Sequence, residues 1–474
     1  MGISKLTTIK SFKLCVNTQT PLIRFKISYP ELLEKYGVLS EPFDLSSFKE
    51  GVDYDASPGG VTAMVFPVVK RLIQRGIVNH ATWISLAPNS PSKIEFEGIQ
   101  FHNIWLEQDQ LAKYANFKEG IWNEIHGLGV SKFIPQEYEA YVNYNWQCSK
   151  LMLSMLSDVD LFWVHDFQQL HVGNLIGPSA PAILRWHIPF KLEAVSDRLK
   201  TLVLKNIEGF DSIIVSTRRD LQGLIQSGYR GKAYAIYPYL DESVWSKPSD
   251  SLVSSVRYEF SLEKQDERYL LVVGRMDPVK SQDVAIRALS RLHKQFPNVR
   301  LLLVGNGSFT GSSVGGLGHP KSTRWRTHLE KTTLDLNLKE SVVFLGHLNH
   351  EEMSVMYSIA DAVVVPSKTE GFNLTAVEGW IHKKPCVVSE GAGVSELVHD
   401  DVNGFKFAPG DDVALSDKLK LLLTSRESSE KLGENGFMMS KQCYADNAVN
   451  QLRQVFEETS AAYTGSIRRV STEK

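Results

Sequence analysis

The residues best suited to chemistry lie in one stretch, PSKTEGFNLTAVEGW (366–380). Its pattern predicts the end of a strand, a short loop with Glu370 and Gly371, and a helix that begins near Asn373. Free N–H groups at a helix start, aided by the helix dipole, favour binding of a diphosphate. Glu370 would reach a sugar hydroxyl, and Glu378 could accept both hydroxyls of a ribose, as acidic residues do in dinucleotide folds. On the alternative interpretation, both glutamates only complement the helix dipole.

A second charged motif is VVGRMDPVKS (272–281), in which a strand stops at Gly274 and a helix follows the loop. Arg275 and Lys280 lie on that loop. Two cations at the carboxyl end of a strand could clamp a phosphate. The alternative is a pair of solvated surface cations.

The first half of the chain has polar residues directly after apolar strands. LFWV leads into His165 and Asp166, and AILRW leads into His187 and a turn fixed by proline. α/β enzymes place substrate contacts at such strand ends. Each histidine could equally be a hydrogen-bonded core residue. Gly59 and Gly60 form a tight turn before a helix, so their amides could approach a phosphate or a sugar.

The elements that must position these residues alternate between short β-branched runs and longer helical patterns, which is typical of parallel sheets covered on both faces. We predict two doubly wound α/β domains, 1–247 and 248–445, with a polar hinge at 246–268. A C-terminal helix and tail, 446–474, is expected to pack back towards the first domain. Such sheets bind ligands at the carboxyl ends of their strands, and hence in the cleft between the domains.

Composition excludes several other classes of protein. The 474 residues include 52 basic and 54 acidic ones, a net charge of −2, so no strong field favours nucleic acid or an anionic membrane. No apolar run approaches the ~20 residues that span a bilayer. The first residues contain no signal-peptide core, and the four cysteines are widely spaced, so a cytoplasmic protein is expected. The histidines show no metal-ligand spacing, and we predict neither a metal nor a cofactor.

Taken in order, the motifs resemble those of retaining GT-B glycosyltransferases over roughly residues 10–460. Arg275, Lys280 and the segment from Glu370 to Glu378 match the donor half of that superfamily. In the acceptor half, the order and spacing are similar to those of trehalose-6-phosphate synthases; the motifs that match are Tyr114, Ile121–His126, Trp163–Phe167 and His187–Phe190. The implied fold is GT-B: two Rossmann-like domains facing a central cleft.

The resemblance implies a role for each matching residue. His187 would lie against the donor glucose, and the expected catalytic residues are His187, Arg275, Lys280 and Glu370. The expected donor-binding residues are Gly59, Gly60, Arg275, Lys280, Gly371, Phe372, Asn373, Leu374 and Glu378. The expected acceptor-binding residues are Tyr114, Trp122, Asp166, Arg324 and Arg24. Arg324, ahead of Arg24, is predicted to hold the acceptor phosphate, and Lys321 is an alternative.

Two residues depart from the trehalose pattern. Glu370 and Phe372 are closer to glycogen-synthase-like and sucrose-synthase-like transferases, so the donor half is generic. The trehalose assignment therefore depends on Tyr114, Trp122 and Asp166, together with His187.

The expected reaction moves glucose from a nucleotide-glucose, UDP-glucose or another nucleoside-diphosphate glucose, to the sugar phosphate glucose 6-phosphate, giving trehalose 6-phosphate. The family's route is a front-face substitution in which the leaving phosphate helps to deprotonate the acceptor, so that the α configuration is retained. A phosphate-free trehalose-forming, sucrose-phosphate-like or α-glucan transferase is the first alternative. An epimerase-like or nucleotide-sugar-binding protein is the second. The sequence does not specify which nucleotide base the donor carries, and it is compatible with a homo-oligomer.

Overall fold

The structure is a computed structural model that describes residues 11–37, 41–56, 60–88, 90–264, 266–306 and 321–472. It contains a nine-stranded sheet, a six-stranded sheet and a small antiparallel pair of strands. Helices cover the two large sheets, as the alternation of apolar strands and helical patterns predicts.

The nine-stranded sheet has the spatial order β11-β10-β9-β8-β1-β5-β7-β6-β3, and β2 pairs with β4 beside it. Every neighbouring pair in the large sheet is parallel except β6 and β7. The strands are β1 (Phe12–Asn17), β2 (Ile23–Phe25), β3 (Phe43–Asp44), β4 (Tyr54–Ala56), β5 (Val78–Leu86), β6 (Lys93–Phe96), β7 (Ile99–Ile104), β8 (Leu161–His165), β9 (Ala182–Arg185), β10 (Ser212–Val215) and β11 (Lys232–Ala235). The helices of this part are α1 (Tyr29–Tyr36), α2 (Gly60–Gln74), α3 (Gln108–Ile125), α4 (Pro135–Ser154), α5 (Val172–Ile176), α6 (Asp197–Ile207) and α7 (Arg218–Gln226).

The six-stranded sheet is parallel throughout and has the order β14-β13-β12-β15-β16-β17. Its strands are β12 (Arg268–Val273), β13 (Val299–Val304), β14 (Val342–Gly346), β15 (Ala362–Val365), β16 (Cys386–Ser389) and β17 (Gly404–Phe407). The helices from here to the C-terminus are α8 (Asp250–Glu259), α9 (Gln282–Leu292), α10 (Lys321–Asp335), α11 (His350–Ile359), α12 (Thr375–Ile381), α13 (Asp412–Thr424), α14 (Arg426–Ser440) and α15 (Ala445–Thr472).

Both large sheets reverse their strand order at one point. In the six-stranded sheet the third, second, first, fourth, fifth and sixth strands lie side by side in that order, which is the Rossmann order. The reversal falls between β12 and β15, and in the larger sheet it falls between β1 and β8. Ligands of open α/β sheets bind in the crevice outside the carboxyl ends of the strands at such a reversal. The motif residues after β8, β12 and β15 therefore occupy the expected positions.

The C-terminal helix α15 packs on the first sheet. Phe456 lies edge-on to Phe12 and Trp163, with ring centroids 6.1 and 5.7 Å apart. Its neighbours Val449 and Leu452 are fully buried in the same core. Helix α15 therefore packs on the sheet that contains β1.

The predicted hinge, 246–268, contains a regular helix. α8 begins after Ser249, whose hydroxyl accepts a hydrogen bond from the N–H of Leu252 at 3.2 Å. Val256 is buried in the core of the second sheet. Val256 is the only buried residue of this helix, so few apolar positions recur at helical spacing in its sequence. Because this helix packs on the second sheet, we keep 247/248 as the proposed boundary between the domains.

In the part of the chain that the structure describes, no helix combines the length and apolar character needed to cross a membrane. The same residues include no cluster of three His, Cys, Asp or Glu side chains arranged to hold a metal ion.

Candidate functional site

The loops after β12 and β15 meet in an ion pair. Lys280 ends a short 3-10 turn after β12, and its ammonium donates to the carboxylate of Glu370 on the loop after β15. The two side chains are only 15% and 20% exposed. The two motifs that the sequence singled out separately are therefore one charged cluster at the reversal point of the second sheet.

Glu370 is held from several sides. Its second carboxylate oxygen accepts hydrogen bonds from the hydroxyl of Ser367 at 2.8 Å and from the amide of Asn373 at 2.9 Å. Burial opposes its ionisation, but the Lys280 ammonium and these two hydrogen bonds outweigh it and lower the pKa of Glu370 below its usual value. Glu370 is therefore a fixed anion that positions Lys280.

The helix α12 begins at Thr375, two residues after the predicted start near Asn373. Asn373 adopts a positive φ of 90°, and its side-chain oxygen accepts a hydrogen bond from the Thr375 N–H at 2.9 Å. One of the amides predicted to bind a diphosphate is therefore already capped. Leu374 occupies the N-cap position, and Phe372 is buried with its ring 5.7 Å from that of Tyr237.

Glu378 lies one turn into α12 and accepts a hydrogen bond from the hydroxyl of Tyr357. Burial raises the pKa of Glu378 even though this hydrogen bond acts in the opposite direction. The expected contact with two ribose hydroxyls can use its second oxygen directly, while the first is shared with Tyr357.

Three polar residues of the first half lie together at the carboxyl ends of β8 and β9. The Nδ1 of His165 is 3.0 Å from the Nε2 of His187, and the two rings lie nearly parallel. Asp166 follows with a φ of 70°, and its Oδ1 accepts a hydrogen bond from the His187 N–H at 3.2 Å. The strained backbone turns the carboxylate of Asp166 towards the β9 loop.

The pKa of Asp166 lies close to pH 7. Burial raises its pKa to about 7, although N–H groups of His187, Phe167 and Ile188 and the side chain of Gln168 favour the charged form. A carboxyl group in this state can accept or donate a hydrogen bond to a sugar hydroxyl.

The two halves touch at Gly371. A Cβ atom added to this glycine would lie 1.9 Å from the carbonyl oxygen of His187. No side chain fits there, so the close approach of the two loops requires glycine. The Lys280–Glu370 pair and the histidine pair thus lie on opposite sides of this one backbone contact.

A second contact joins α3 of the first half to the loop after β12. The guanidinium carbon of Arg275 lies 5.6 Å from the centre of the Trp122 ring, and His126 stacks on the same ring at 3.8 Å. Burial lowers the pKa of His126 to about 4, and Arg275 acts in the same direction, while the backbone of Trp122 and the carboxylates of Glu370 and Asp277 oppose it. Trp122, predicted to bind the acceptor, therefore contacts Arg275, which is predicted to bind the donor.

A third contact between the halves was not predicted. Glu396 of the second half accepts hydrogen bonds from the N–H groups of Arg218 and Arg219 at the start of α7, both at 3.2 Å. The hydroxyl of Tyr237 also donates to Glu396 at 2.7 Å, and Arg219 donates to the carbonyl of Glu390 at 2.8 Å. Glu396 lies within a short 3-10 turn after β16, and these two arginines are 178 and 177 residues away in sequence, so no local signal predicts the contact.

Two further predicted residues belong to the first half. Tyr114 is fully buried among Tyr141 and Tyr144, and its hydroxyl has no partner among the described residues. Arg24 lies on β2 opposite Asp55 of β4, and burial lowers its pKa against the effect of that carboxylate.

The other acceptor-phosphate candidate, Arg324, is exposed on the first turn of α10. The alternative Lys321 begins the same helix. Gly60 begins α2, and Gly59 lies outside the described residues. The structure thus brings together His187, Asp166, Arg275, Lys280 and the loop 370–374, but shows no contact between Arg324 and Asp166.

Comparison with known proteins identifies the fold. Residues 257–439 match the family described as "Glycosyl transferases group 1". A trehalose-6-phosphate synthase, OtsA, superposes with a TM-score of 0.73 at 16% identity, covering 94% of this chain and 98% of that one. The chain has the GT-B fold. The predicted fold class and the resemblance to GT-B transferases are confirmed.

Two further solved structures share the GT-B fold. The E. coli protein bound with UDP-2-fluoro glucose has a TM-score of 0.72 at 16% identity and covers 94% of this chain and 98% of its own. The sucrose-phosphate synthase of Thermosynechococcus elongatus has a TM-score of 0.68 at 20% identity, with coverages of 95% and 99%. At these identities the likeness establishes the fold alone.

Relatives by sequence extend the comparison. A D-inositol 3-phosphate glycosyltransferase of Mycobacteroides abscessus is 32% identical over 200 residues, which is 42% of this chain. The match spans about two fifths (41%) of that relative's length. An uncharacterised glycosyltransferase of Methanocaldococcus jannaschii is 27% identical over 406 residues, 85% of this chain and 95% of that protein.

Proposed function

We propose that this protein is a retaining α-glycosyltransferase that moves glucose from a nucleoside-diphosphate glucose, such as UDP-glucose, to glucose 6-phosphate, forming trehalose 6-phosphate. The observation that carries the proposal is the Lys280–Glu370 pair at the reversal of the second sheet, facing His187 and Asp166 across Gly371. Cations on one side and sugar-binding groups on the other are what transfer of a sugar from a diphosphate requires.

The donor side supplies charge for the leaving group. Departure of a nucleoside diphosphate builds negative charge on oxygen, and fixed cations stabilise that charge in the transition state. Lys280 is positioned by Glu370, which is itself fixed by Ser367 and Asn373. A phosphate that arrives beside Lys280 meets a side chain that is already ordered, so little of the binding energy is lost in ordering it.

The acceptor side supplies hydrogen bonds rather than charge. Asp166 is 5% exposed and His187 is half-buried beside it, so both can reach a sugar in the cleft without facing bulk water. Neither can attract a phosphate, and Arg324 and Arg24 stay our proposed partners for it. Retention of the α configuration is taken from the resemblance to retaining transferases.

A second acceptor class has its own support. The Mycobacteroides relative carries D-inositol 3-phosphate in its name, which makes a phosphorylated cyclitol a competing acceptor. It shares with glucose 6-phosphate a six-membered ring with hydroxyls and one phosphate. The same Asp166 and the same cation would serve either compound.

The test is product analysis with a panel of donors and acceptors. We expect UDP release that depends on glucose 6-phosphate, and a product identified by mass and NMR as the α,α-linked phosphorylated disaccharide. UDP release only with inositol phosphate would show that the acceptor is a phosphorylated cyclitol. Release without any acceptor would support an epimerase-like or hydrolytic reaction, and release with plain glucose at the same rate would support the phosphate-free transferase.

A further inference from the structure

A buried arginine lies beneath the histidine pair of the candidate site. Arg185, the last residue of β9, is fully buried, and it is the direct neighbour of His165 in the parallel pairing of β8 with β9. Both residues lie on the face of the sheet that packs against Trp163 and α15. The cation is therefore part of the wall behind His165 and His187.

This arginine has no counter-ion in the described part of the molecule. Its Nη2 donates to the carbonyl of Ile236 at 3.0 Å, and its guanidinium carbon lies 5.3 Å from the centre of the Tyr239 ring. Its Nε and Nη1 have no acceptor among the described residues. An unpaired buried charge is costly, and an apolar residue of similar volume would be expected to stabilise the fold. Its presence calls for a functional reason.

The hydrogen bonds around His165 assign its proton. Its Nδ1 faces the Nε2 of His187, and its own Nε2 is buried without a partner among the described residues. Two arrangements satisfy the 3.0 Å contact. In one, His165 donates from Nδ1 and keeps a lone pair on Nε2. In the other, it carries its proton on Nε2 and places a further donor beside Arg185, its neighbour across the strands, which offers only donors; this is unfavourable.

The first arrangement fixes the second ring as well. Because the Nε2 of His187 then accepts, the proton of this neutral imidazole is on Nδ1, the nitrogen that has no partner among the described residues. We propose that Arg185 and His165 are positioning residues that keep His187 neutral with its proton on Nδ1, so that His187 donates this N–H to a hydroxyl of the bound sugar. The role in sugar binding rests on the proposed function; the assignment of the proton does not.

The charges around His187 agree with a neutral ring. Burial lowers the pKa of His187 well below its usual value, and His165 and Arg185 act in the same direction. Burial and Arg185 likewise lower the pKa of His165. Asp166, which binds the His187 N–H, and the Lys280–Glu370 pair beyond Gly371 are the other charged groups on this side. Because the pKa of Asp166 is itself about 7, Arg185 is the permanent charge that lowers the pKa of both rings.

The experiment is NMR of the full-length protein labelled with ¹⁵N in its histidine rings, with signals assigned by His187→Asn and His165→Asn. We expect native His187 to carry its proton on Nδ1 and neither ring to titrate between about pH 5.5 and 8. In Arg185→Met, loss of the like charge should raise both titrations by about one pH unit or more and mix the two tautomers of His187. Arg185→Lys should keep the native pattern.

Two controls separate this role from packing. Tyr239→Phe removes a hydroxyl beneath the guanidinium without changing any charge, and it should leave both histidines as in the native protein. The ratio of Arg185→Met activity to native activity should fall as the pH is lowered from 8 to 6, because the histidines of the variant begin to protonate. The titration of Asp166 affects both proteins and largely cancels in this ratio. A packing role predicts a ratio that does not change with pH.

Native His187 with its proton on Nε2 would overturn the proposal, even if Arg185→Met fails to fold. So would titrations that are unchanged in a folded Arg185→Met protein. If the NMR results are as expected but no sugar is transferred, the proposed function fails while the proton assignment stands.

Discussion

The two halves of this molecule each contain a large sheet with a reversal of strand order, but the chemistry at the carboxyl ends of their strands is opposite. In the second half, the loops after β12 and β15 hold an ion pair, Lys280 and Glu370, with Arg275 nearby. In the first half, the ends of β8 and β9 hold two histidines whose pKa values are lowered by burial and by Arg185, and one carboxyl group with a pKa of about 7. One fold thus presents fixed charge on one side of the cleft and neutral hydrogen-bonding groups on the other.

This difference indicates that each half would bind a different part of the substrates in the proposed reaction. A diphosphate needs permanent cations, whereas a sugar needs donors and acceptors of hydrogen bonds that cost little to bury. Gly371 brings these two environments into backbone contact. The predictions that follow each remove a feature of one half.

The largest effect is expected for the donor-side cation. Lys280→Ala should lower kcat by ~10²-fold or more, because it removes a charge-stabilising donor and leaves Glu370 without its cation. Arg275→Ala should behave similarly. Steady-state UDP release measures both, with Lys368→Ala, an exposed lysine of the Glu370 loop, as the matched control. Near-native turnover in both variants would place the diphosphate elsewhere.

On the first half, the buried carboxyl group should make stability depend on pH. The pKa of Asp166 is raised in the folded state from 3.8 to about 7, so the stability that it contributes is complete below pH 3.8 and is lost as pH rises to about 7. Asp166→Asn removes this dependence. The difference in unfolding free energy, variant minus native, should therefore increase by about 1.4 kcal/mol for each pH unit between pH 3.8 and about 7.

Urea denaturation between pH 4 and pH 8 measures this gain. Asp158→Asn, an exposed acid of the preceding turn, is the control and should show no such trend. A constant difference between Asp166→Asn and the native protein would mean that Asp166 titrates normally and that the first half is not a neutral environment.

The proposed acceptor, glucose 6-phosphate, carries a phosphate, so we expect one cation to bind it beside the uncharged groups of the first half. Arg324→Ala should weaken its binding about ten- to a hundredfold, corresponding to roughly 1.5–3 kcal/mol for a charge-assisted contact, with donor affinity nearly unchanged. Arg24→Ala is the paired variant, since Arg24 is a half-buried cation on the first half. Acceptor KM identifies which arginine acts, and native behaviour of both would exclude the two residues but not the reaction.

The smallest change in turnover is expected at Glu378. Glu378→Ala should raise the donor KM more than it lowers kcat, because ribose hydroxyls lie far from the reacting carbon and their contacts are mostly uniform binding. Tyr357→Phe removes only the hydrogen bond that Tyr357 donates to Glu378 and should have a weaker effect of the same kind. An unchanged donor KM in Glu378→Ala would remove this residue from the site.

Much of the fold was predictable because its signals are local. Apolar runs such as YLLVVG and DAVVVPS coincide with β12 and β15, since a strand buried on both faces must be continuously apolar. The strand-end positions of His165, Asp166 and His187 follow in the same way from the apolar runs LFWV and AILRW. The helix α8 was missed because only Val256 of its residues is buried, which leaves little periodicity to detect.

The site's pairings were not predictable in the same way. Lys280 and Glu370 are 90 residues apart, and nothing in either motif indicates that one neutralises the other. Arg275 and Trp122 were assigned to different substrates, although they touch across the cleft. Tyr114 has a plausible motif position but lies inside an aromatic core, since an amphipathic helix pattern does not specify which aromatic residues face a ligand.

The most direct test of the central claim compares acceptors on the native protein: the rate of UDP release from UDP-glucose with glucose 6-phosphate and with glucose at equal concentration. We predict that glucose 6-phosphate is the better acceptor by at least about tenfold, because the charge-assisted contact to its phosphate is worth roughly 1.5–3 kcal/mol. Equal rates with the two acceptors would contradict it.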